Sequence, residues 1–204
     1  MGLKCPSCLR ETDLLDRIIP LGTYEGELRR AVIRAKRISE RPLAATMAVL
    51  LADHLVQTVP APCADVVIPI PKFWMKRLMH GANSSEVLAD VVGRRLKIPV
   101  VPTGLVACRK TKKQSLLPVA GRRMNLKGAM RVGSGYDFRG ERVLVVDDIM
   151  TTGSTAREAA RVLYESGVRS VILAVLARAT AERRMKMKKQ ISEVSPWRDR
   201  EDKA

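Results

Sequence analysis

The residues best suited to chemistry stand together at positions 143–155: Val143, Leu144, Val145, Val146, Asp147, Asp148, Ile149, Met150, Thr151, Thr152, Gly153, Ser154 and Thr155. Two adjacent carboxylates precede a run of hydroxyl residues broken by one glycine. Hydroxyls and backbone N–H groups gathered at a helix N-terminus make an anion site, because the unpaired donors and the helix dipole both favour negative charge. Carboxylates repel phosphate but accept hydrogen bonds from vicinal hydroxyls. A phosphate cradle at 151–155 beside a diol clamp at Asp147 and Asp148 suits a ribose 5-phosphate. The competing account is an ordinary buried strand whose aspartates cap the next helix. It covers one aspartate and the threonines, but not two carboxylates followed by five cradle residues.

The elements around this stretch follow from the same residues. Four β-prone apolar residues, 143–146, read as a strand buried on both faces of a parallel sheet. After the loop, Ala156, Ala159, Ala160, Val162 and Leu163 recur at helical spacing as far as Gly167. Residues 64–72 (ADVVIPIPK) read as a first central strand ending in a proline-bracketed turn. A helix is expected through Ser85, Val87, Leu88, Val91, Val92 and Leu96, capped by Asn83 or Ser84. Residues 98–106 supply a further strand or short edge pair, and 170–176 another apolar strand with Arg178 at its end. Upstream, 24–37 reads as a turn into a helix with Leu28, Val32 and Ala35 on one face and Arg29, Arg30, Arg34, Lys36 and Arg37 around the rest. Its basic residues form a solvated face or a nucleic-acid contact. Residues 42–56 read as a core helix.

Composition narrows the class. The chain has 204 residues, 46% of them hydrophobic but only 3% aromatic, so one aliphatic core with a small appendage is expected. The formal net charge of +16 points to an anionic partner, for which polyphosphate ligands and nucleic acid both qualify. The longest uncharged apolar run, 43–52, is too short to span a bilayer, and 1–10 has no apolar leader core. Four cysteines in such a context suggest a reducing cytoplasm. Cys5 and Cys8 have the spacing of half a zinc site, but no second pair or nearby histidine completes four ligands. An incomplete knuckle and a site completed by a second subunit both stand. Between Arg94 and Tyr136 no acidic residue occurs, and two basic, loop-like clusters lie there: Arg109, Lys110, Lys112 and Lys113, then Arg122 and Arg123.

Residues 143–155 resemble, at every position, the phosphoribosyl pyrophosphate (PRPP) motif of type I phosphoribosyltransferases. The order of the other pieces is more specific still. CxxC at 5–8, Tyr-x-Gly-x-Leu-Arg at 24–29, Ile-Pro-Ile-Pro at 68–71, Gly-x-Asn at 81–83, Arg-Lys-Thr-x-x-Gln at 109–114 and Arg-x-x-Asn at 122–125 are similar to the ComF family, competence-associated proteins often described as amidophosphoribosyltransferase-like. Two features depart from that pattern. The family's upstream CxxC pair is missing, whether lost or cut off by a late start, and its Arg-Gly-Phe-Asn-Gln stretch reads His-Gly-Ala-Asn-Ser at 80–84.

The resemblance implies an α/β fold with an open, mainly parallel sheet flanked by helices. It implies three segments: a remnant zinc-knuckle piece at 1–23, a phosphoribosyltransferase-like domain at 24–180 and a basic tail at 181–204. It assigns the 5-phosphate to Thr151, Thr152, Gly153, Ser154 and Thr155, the ribose hydroxyls to Asp147 and Asp148, and the pyrophosphate to Ile70, Pro71 and Lys72. The basic clusters at 109–123 take the place of a hood that closes over the ligand. Mg²⁺ would accompany PRPP, and zinc would need ligands beyond Cys5 and Cys8. Three functions fit: a phosphoribosyl transfer to an unidentified acceptor, a non-catalytic handler of single-stranded DNA, and a PRPP-sensing regulator. Homodimerisation is compatible with each. Cys5 suits a metal ligand better than a nucleophile, so glutamine-dependent ammonia release is not expected.

Overall fold

The computed structural model describes residues 14–71, 84–108 and 128–180. The elements run β1 (Arg17–Thr23), α1 (Gly26–Arg34), a one-turn 3₁₀ helix (Ile38–Glu40), α2 (Arg41–Thr58), β2 (Val66–Pro69), α3 (Ser84–Leu96), β3 (Leu105–Ala107), β4 (Met130–Val132), β5 (Arg142–Met150), α4 (Ser154–Glu165) and β6 (Ser170–Arg178). Four strands form one parallel sheet in the order β1-β6-β5-β2. Val100 adds one parallel bridge to Val67 on the far side of β2, and β3 and β4 pair antiparallel as a separate ribbon.

The central position of β5 explains its sequence. A strand covered on both faces must be apolar on both, and period two divides its residues between two cores. Val143 and Val145 pack with Leu163, Leu173 and Val175 beneath α4. Leu144 and Val146 pack with Leu51, Leu55, Leu88 and Val92 of α2 and α3. All four β5 residues are fully buried. The α2 helix, with Pro42 in its first turn where a missing N–H costs nothing, buries Ala48, Leu51 and Ala52 completely.

The expected segment boundary at residue 23 falls between β1 and α1. The seven residues Arg17–Thr23, expected in the N-terminal piece, are an edge strand of the main sheet in register with Ile172 to Arg178 of β6. Pro20 lies within this strand, which an edge position tolerates because, among the described residues, one of its sides carries no ladder. Among the described residues no helix is long and apolar enough to cross a membrane.

Candidate functional site

At the carboxyl end of the sheet β5 runs further than its apolar stretch suggests. Asp147 and Asp148 belong to the strand, with Asp147 opposite Val175, Ile149 opposite Ala177 and Met150 opposite Arg178. The carboxylates were expected just past the strand. Parallel pairing uses only backbone groups, so it continues through charged side chains as long as those find partners.

The partners come from two other elements. The first two residues of α3 each donate a hydroxyl: Ser84 Oγ to Asp148 Oδ2 at 2.8 Å and Ser85 Oγ to Asp147 Oδ1 at 2.9 Å. The Asp148 backbone N–H also donates to Asp147 Oδ1 at 2.8 Å. Lys36, just beyond α1, places its Nζ 3.0 Å from Asp148 Oδ2. Asp148 is only 7% exposed, whereas Asp147 is half-buried.

Burial, then the negative charge of Asp148, push the Asp147 carboxyl well above the usual carboxylate range; the Asp148 N–H, the Ser85 hydroxyl and the Lys36 charge pull it back only in part. For Lys36 burial pulls the ammonium down, but the charge and hydrogen bond of Asp148 outweigh it and hold Lys36 above its ordinary value.

The loop after β5 is tightly folded. Gly153 precedes α4 with φ of +77°, a left-handed conformation that glycine adopts without strain. A Cβ there would also lie 2.5 Å from Met150 Cε and 3.1 Å from Arg157 Nη1. Arg157 Nη1 donates to the Thr152 carbonyl at 2.8 Å, and the Thr152 and Ser154 hydroxyls lie 2.9 Å apart. Asp147, Met150 and the residues Thr151, Thr152, Gly153, Ser154 and Thr155 line a shallow, open cleft over Leu173 and Val175. Donors at the start of α4 therefore face the same space as the Asp147 carboxylate, which is the pairing a sugar phosphate requires.

Of the expected pyrophosphate positions, Ile70 is buried and its N–H bonds the Val146 carbonyl at 2.9 Å, extending β2 alongside β5. Pro71 follows at the same edge of the sheet. Lys72, the cluster Arg109, Lys110, Lys112, Lys113, Arg122 and Arg123, and the cysteines Cys5 and Cys8 lie outside the described residues. Among the described residues no group of three or more His, Cys, Asp or Glu is placed to hold a metal ion. Cys63 and Cys108 are free thiols, and burial raises that of Cys63.

Sequence reasoning missed Lys36, Ser84 and Ser85 as members of the site. From sequence Ser84 reads only as a helix cap, and Lys36 as one cation in a basic run. Within that run Arg30 pairs with Glu27, Arg34 with Glu40 at 2.9 Å, and Arg29 stacks 6.0 Å above the Tyr24 ring. The helix is thus less openly cationic than its sequence.

The phosphoribosyl transferase domain family matches residues 82–199, more than half of the chain. Competence protein F of Haemophilus influenzae is 30% identical over 179 residues, covering 86% of this chain and 78% of its own. The DNA utilization protein YhgH of Escherichia coli is 27% identical over 179 residues with the same coverage. A solved glutamine PRPP amidotransferase from B. subtilis, complexed with ADP and GMP, aligns at 25% identity with a TM-score of 0.45, over 65% of this chain and 26% of its own. With its parallel sheet and the strand, loop and helix at 142–165, the chain belongs to the phosphoribosyltransferase domain family with a type I α/β fold, and within it to the ComF family.

Proposed function

We propose that the chain binds PRPP, with Mg²⁺, in the cleft at the carboxyl end of β5 and acts as a phosphoribosyltransferase on a nitrogen acceptor. The observation that carries this reading is the shared cleft: Asp147 and the loop 151–155 face one space at the sheet edge where open α/β folds bind ligands. Thr151, Thr152, Ser154 and Thr155, with the N–H groups at the start of α4, would hold the 5-phosphate. Asp147 would accept hydrogen bonds from the ribose hydroxyls, and Ile70, Pro71 and Lys72 would border the pyrophosphate.

In the reaction the acceptor nitrogen forms a bond to C1 while the bond from C1 to the pyrophosphate oxygen breaks. Pyrophosphate leaves with the electron pair, and the nitrogen gives up its proton to solvent. Little covalent chemistry falls to the protein, which contributes positioning, charge complementarity and exclusion of water. Mg²⁺, when bound, neutralises pyrophosphate oxygens. One or two carboxylates with ligand oxygens and water suffice for it, so the donor set at this edge fits without a dedicated protein cage.

The test is calorimetric titration of PRPP with Mg²⁺ into the wild-type chain and into the Asp147→Ala/Asp148→Ala variant. Loss of the Asp147 acceptor together with the Asp148 side chain beside it should weaken binding by about a hundredfold or more. Equal binding by both proteins would refute the reading. A screen of purine, pyrimidine and amine acceptors for pyrophosphate release then separates an enzyme from a PRPP sensor.

The net charge of +16 and the naming of relatives for competence and DNA utilization favour a second reading, a handler of single-stranded DNA. That activity would show a steep salt dependence and would survive the double aspartate change.

A further inference from the structure

We propose that Lys36 is a positioning residue of the phosphoribosyl site and acts through Asp148. This inference rests on the reading of the cleft given above. The two adjacent aspartates are not twins. Asp147 borders the cleft, and its Oδ1 is held by the Ser85 hydroxyl and the Asp148 N–H. Asp148 is more deeply buried, and a single oxygen of it, Oδ2, receives both the Ser84 hydroxyl at 2.8 Å and the Lys36 ammonium at 3.0 Å. A carboxylate this deep needs a counter-charge. Lys36 supplies it from the turn after α1, an element that contributes nothing to the strand, loop and helix of 142–165.

The consequence is a division of labour. Lys36 and Ser84 hold the Asp148 side chain fixed. Its backbone N–H, which is part of the same residue, then holds the Asp147 carboxylate in place. Remove the ammonium, and Asp148 Oδ2 loses the cation 3.0 Å away, which shifts the residue whose N–H holds Asp147 and so shifts Asp147 against the ribose hydroxyls. The Lys36 side chain is 42% exposed, so removing it opens no large cavity and the change is chiefly electrostatic.

The experiment is titration calorimetry with Mg²⁺ of two ligands, PRPP and ribose 5-phosphate, into the wild-type chain and the variants Lys36→Met, Lys36→Arg, Asp148→Asn and Lys36→Met/Asp148→Asn. Lys36→Met should weaken both ligands by the same factor, about tenfold or more, the usual loss for a residue that orients a ligand-holding side chain. Lys36→Arg keeps the charge and should recover most of that loss. In the Asp148→Asn background, where no buried charge needs balancing, Lys36→Met should cost less than about twofold, the mark of coupled residues.

Wild-type affinity in Lys36→Met, or an undiminished penalty in the Asp148→Asn background, overturns the proposal. A loss confined to PRPP overturns it too, since Lys36 would then meet the pyrophosphate itself. Should Lys36→Met alone fail to fold, Asp148→Asn and the double variant decide: equal affinities support the proposal and a weaker double variant overturns it. If the wild-type chain binds neither ligand, the proposed function fails first and this inference falls with it.

Discussion

The two ends of β5 treat their acidic neighbours in opposite ways. At its start, Arg142 clamps Asp65: Nε to Oδ2 at 3.0 Å, Nη2 to Oδ1 at 2.5 Å and the backbone N–H to Oδ2 at 2.8 Å, while Nη1 reaches the Pro62 carbonyl at 2.7 Å. The hydrogen bonds from Arg142 hold the Asp65 carboxyl down at about 2. Nearby, Asp16 takes the Val171 N–H at 2.7 Å and the Tyr164 hydroxyl, and burial followed by that contact pushes the phenol up to about 12. At the end of the same strand Asp147 is pushed the other way, by burial and by Asp148. One end has matched its carboxylates to guanidinium, phenol and backbone donors. The other holds a carboxylate against its preference. The first arrangement fastens a fold, and the second is the one the proposed function requires of a carboxylate that meets a ligand.

The largest test of this contrast removes what both ends share. Leu144→Ala, at a fully buried position in the middle of β5, should cost about 2–5 kcal/mol and lower the melting temperature as a single transition. Two separate transitions in calorimetry would mean that the ends are not parts of one cooperative unit.

Next comes Glu158, on α4 just after the loop 151–155, which accepts from the Gly128 N–H at 2.7 Å and from Arg161 at 2.8 and 3.0 Å. It lies near the ligand end yet is fully matched, so the contrast predicts a structural role. Glu158→Ala should destabilise by about 2 kcal/mol, read by chemical denaturation, because it leaves the Gly128 N–H without its carboxylate. A neutral change would show that a carboxylate's partners do not predict its role.

A smaller effect is expected at Asp65, where solvent reaches about a third of each side chain of the ion pair and screens it. Asp65→Asn should lower the melting temperature by about a few degrees. Its pH signature is specific. A depressed folded-state value means that the contribution is present above the unfolded value of about 4 and is lost as pH falls toward about 2. The difference between wild type and Asp65→Asn should therefore shrink on acidification across that window.

Asp147 should give the smallest effect and the opposite sign. With its folded-state value raised, its contribution is complete below about pH 4 and is lost as pH rises through the raised value. The ligand-free protein should weaken toward neutral pH, and Asp147→Asn should remove that slope and raise the melting temperature at pH 7 by about a degree or two.

What could be read from the sequence divides along the same physical line. Residues 143–146 announce a buried strand because local hydrophobicity reports burial on both faces, and the loop and helix after it are marked by Gly153 and by the alanine spacing. The strand at Arg17–Thr23 was illegible, because an edge strand containing Pro20 lacks the signal of a buried one. Continuation of β5 through Asp147 and Asp148 was hidden for a related reason: charged residues extend a ladder only when distant partners accept them. Those partners, Ser84, Ser85 and Lys36, come from separate elements far upstream and carry no local mark. A lysine within a basic run looks like a solvated cation until the fold places a buried carboxylate beside it.

The most direct measurement of the central claim is the PRPP affinity, with Mg²⁺ at neutral pH, of Asp147→Asn and Asp65→Asn beside the wild type. The account predicts a loss of about tenfold or more for Asp147→Asn. It predicts a change within about twofold for Asp65→Asn, which sits at the far end of the strand. Unchanged binding by Asp147→Asn, or an equal loss in both variants, would contradict it.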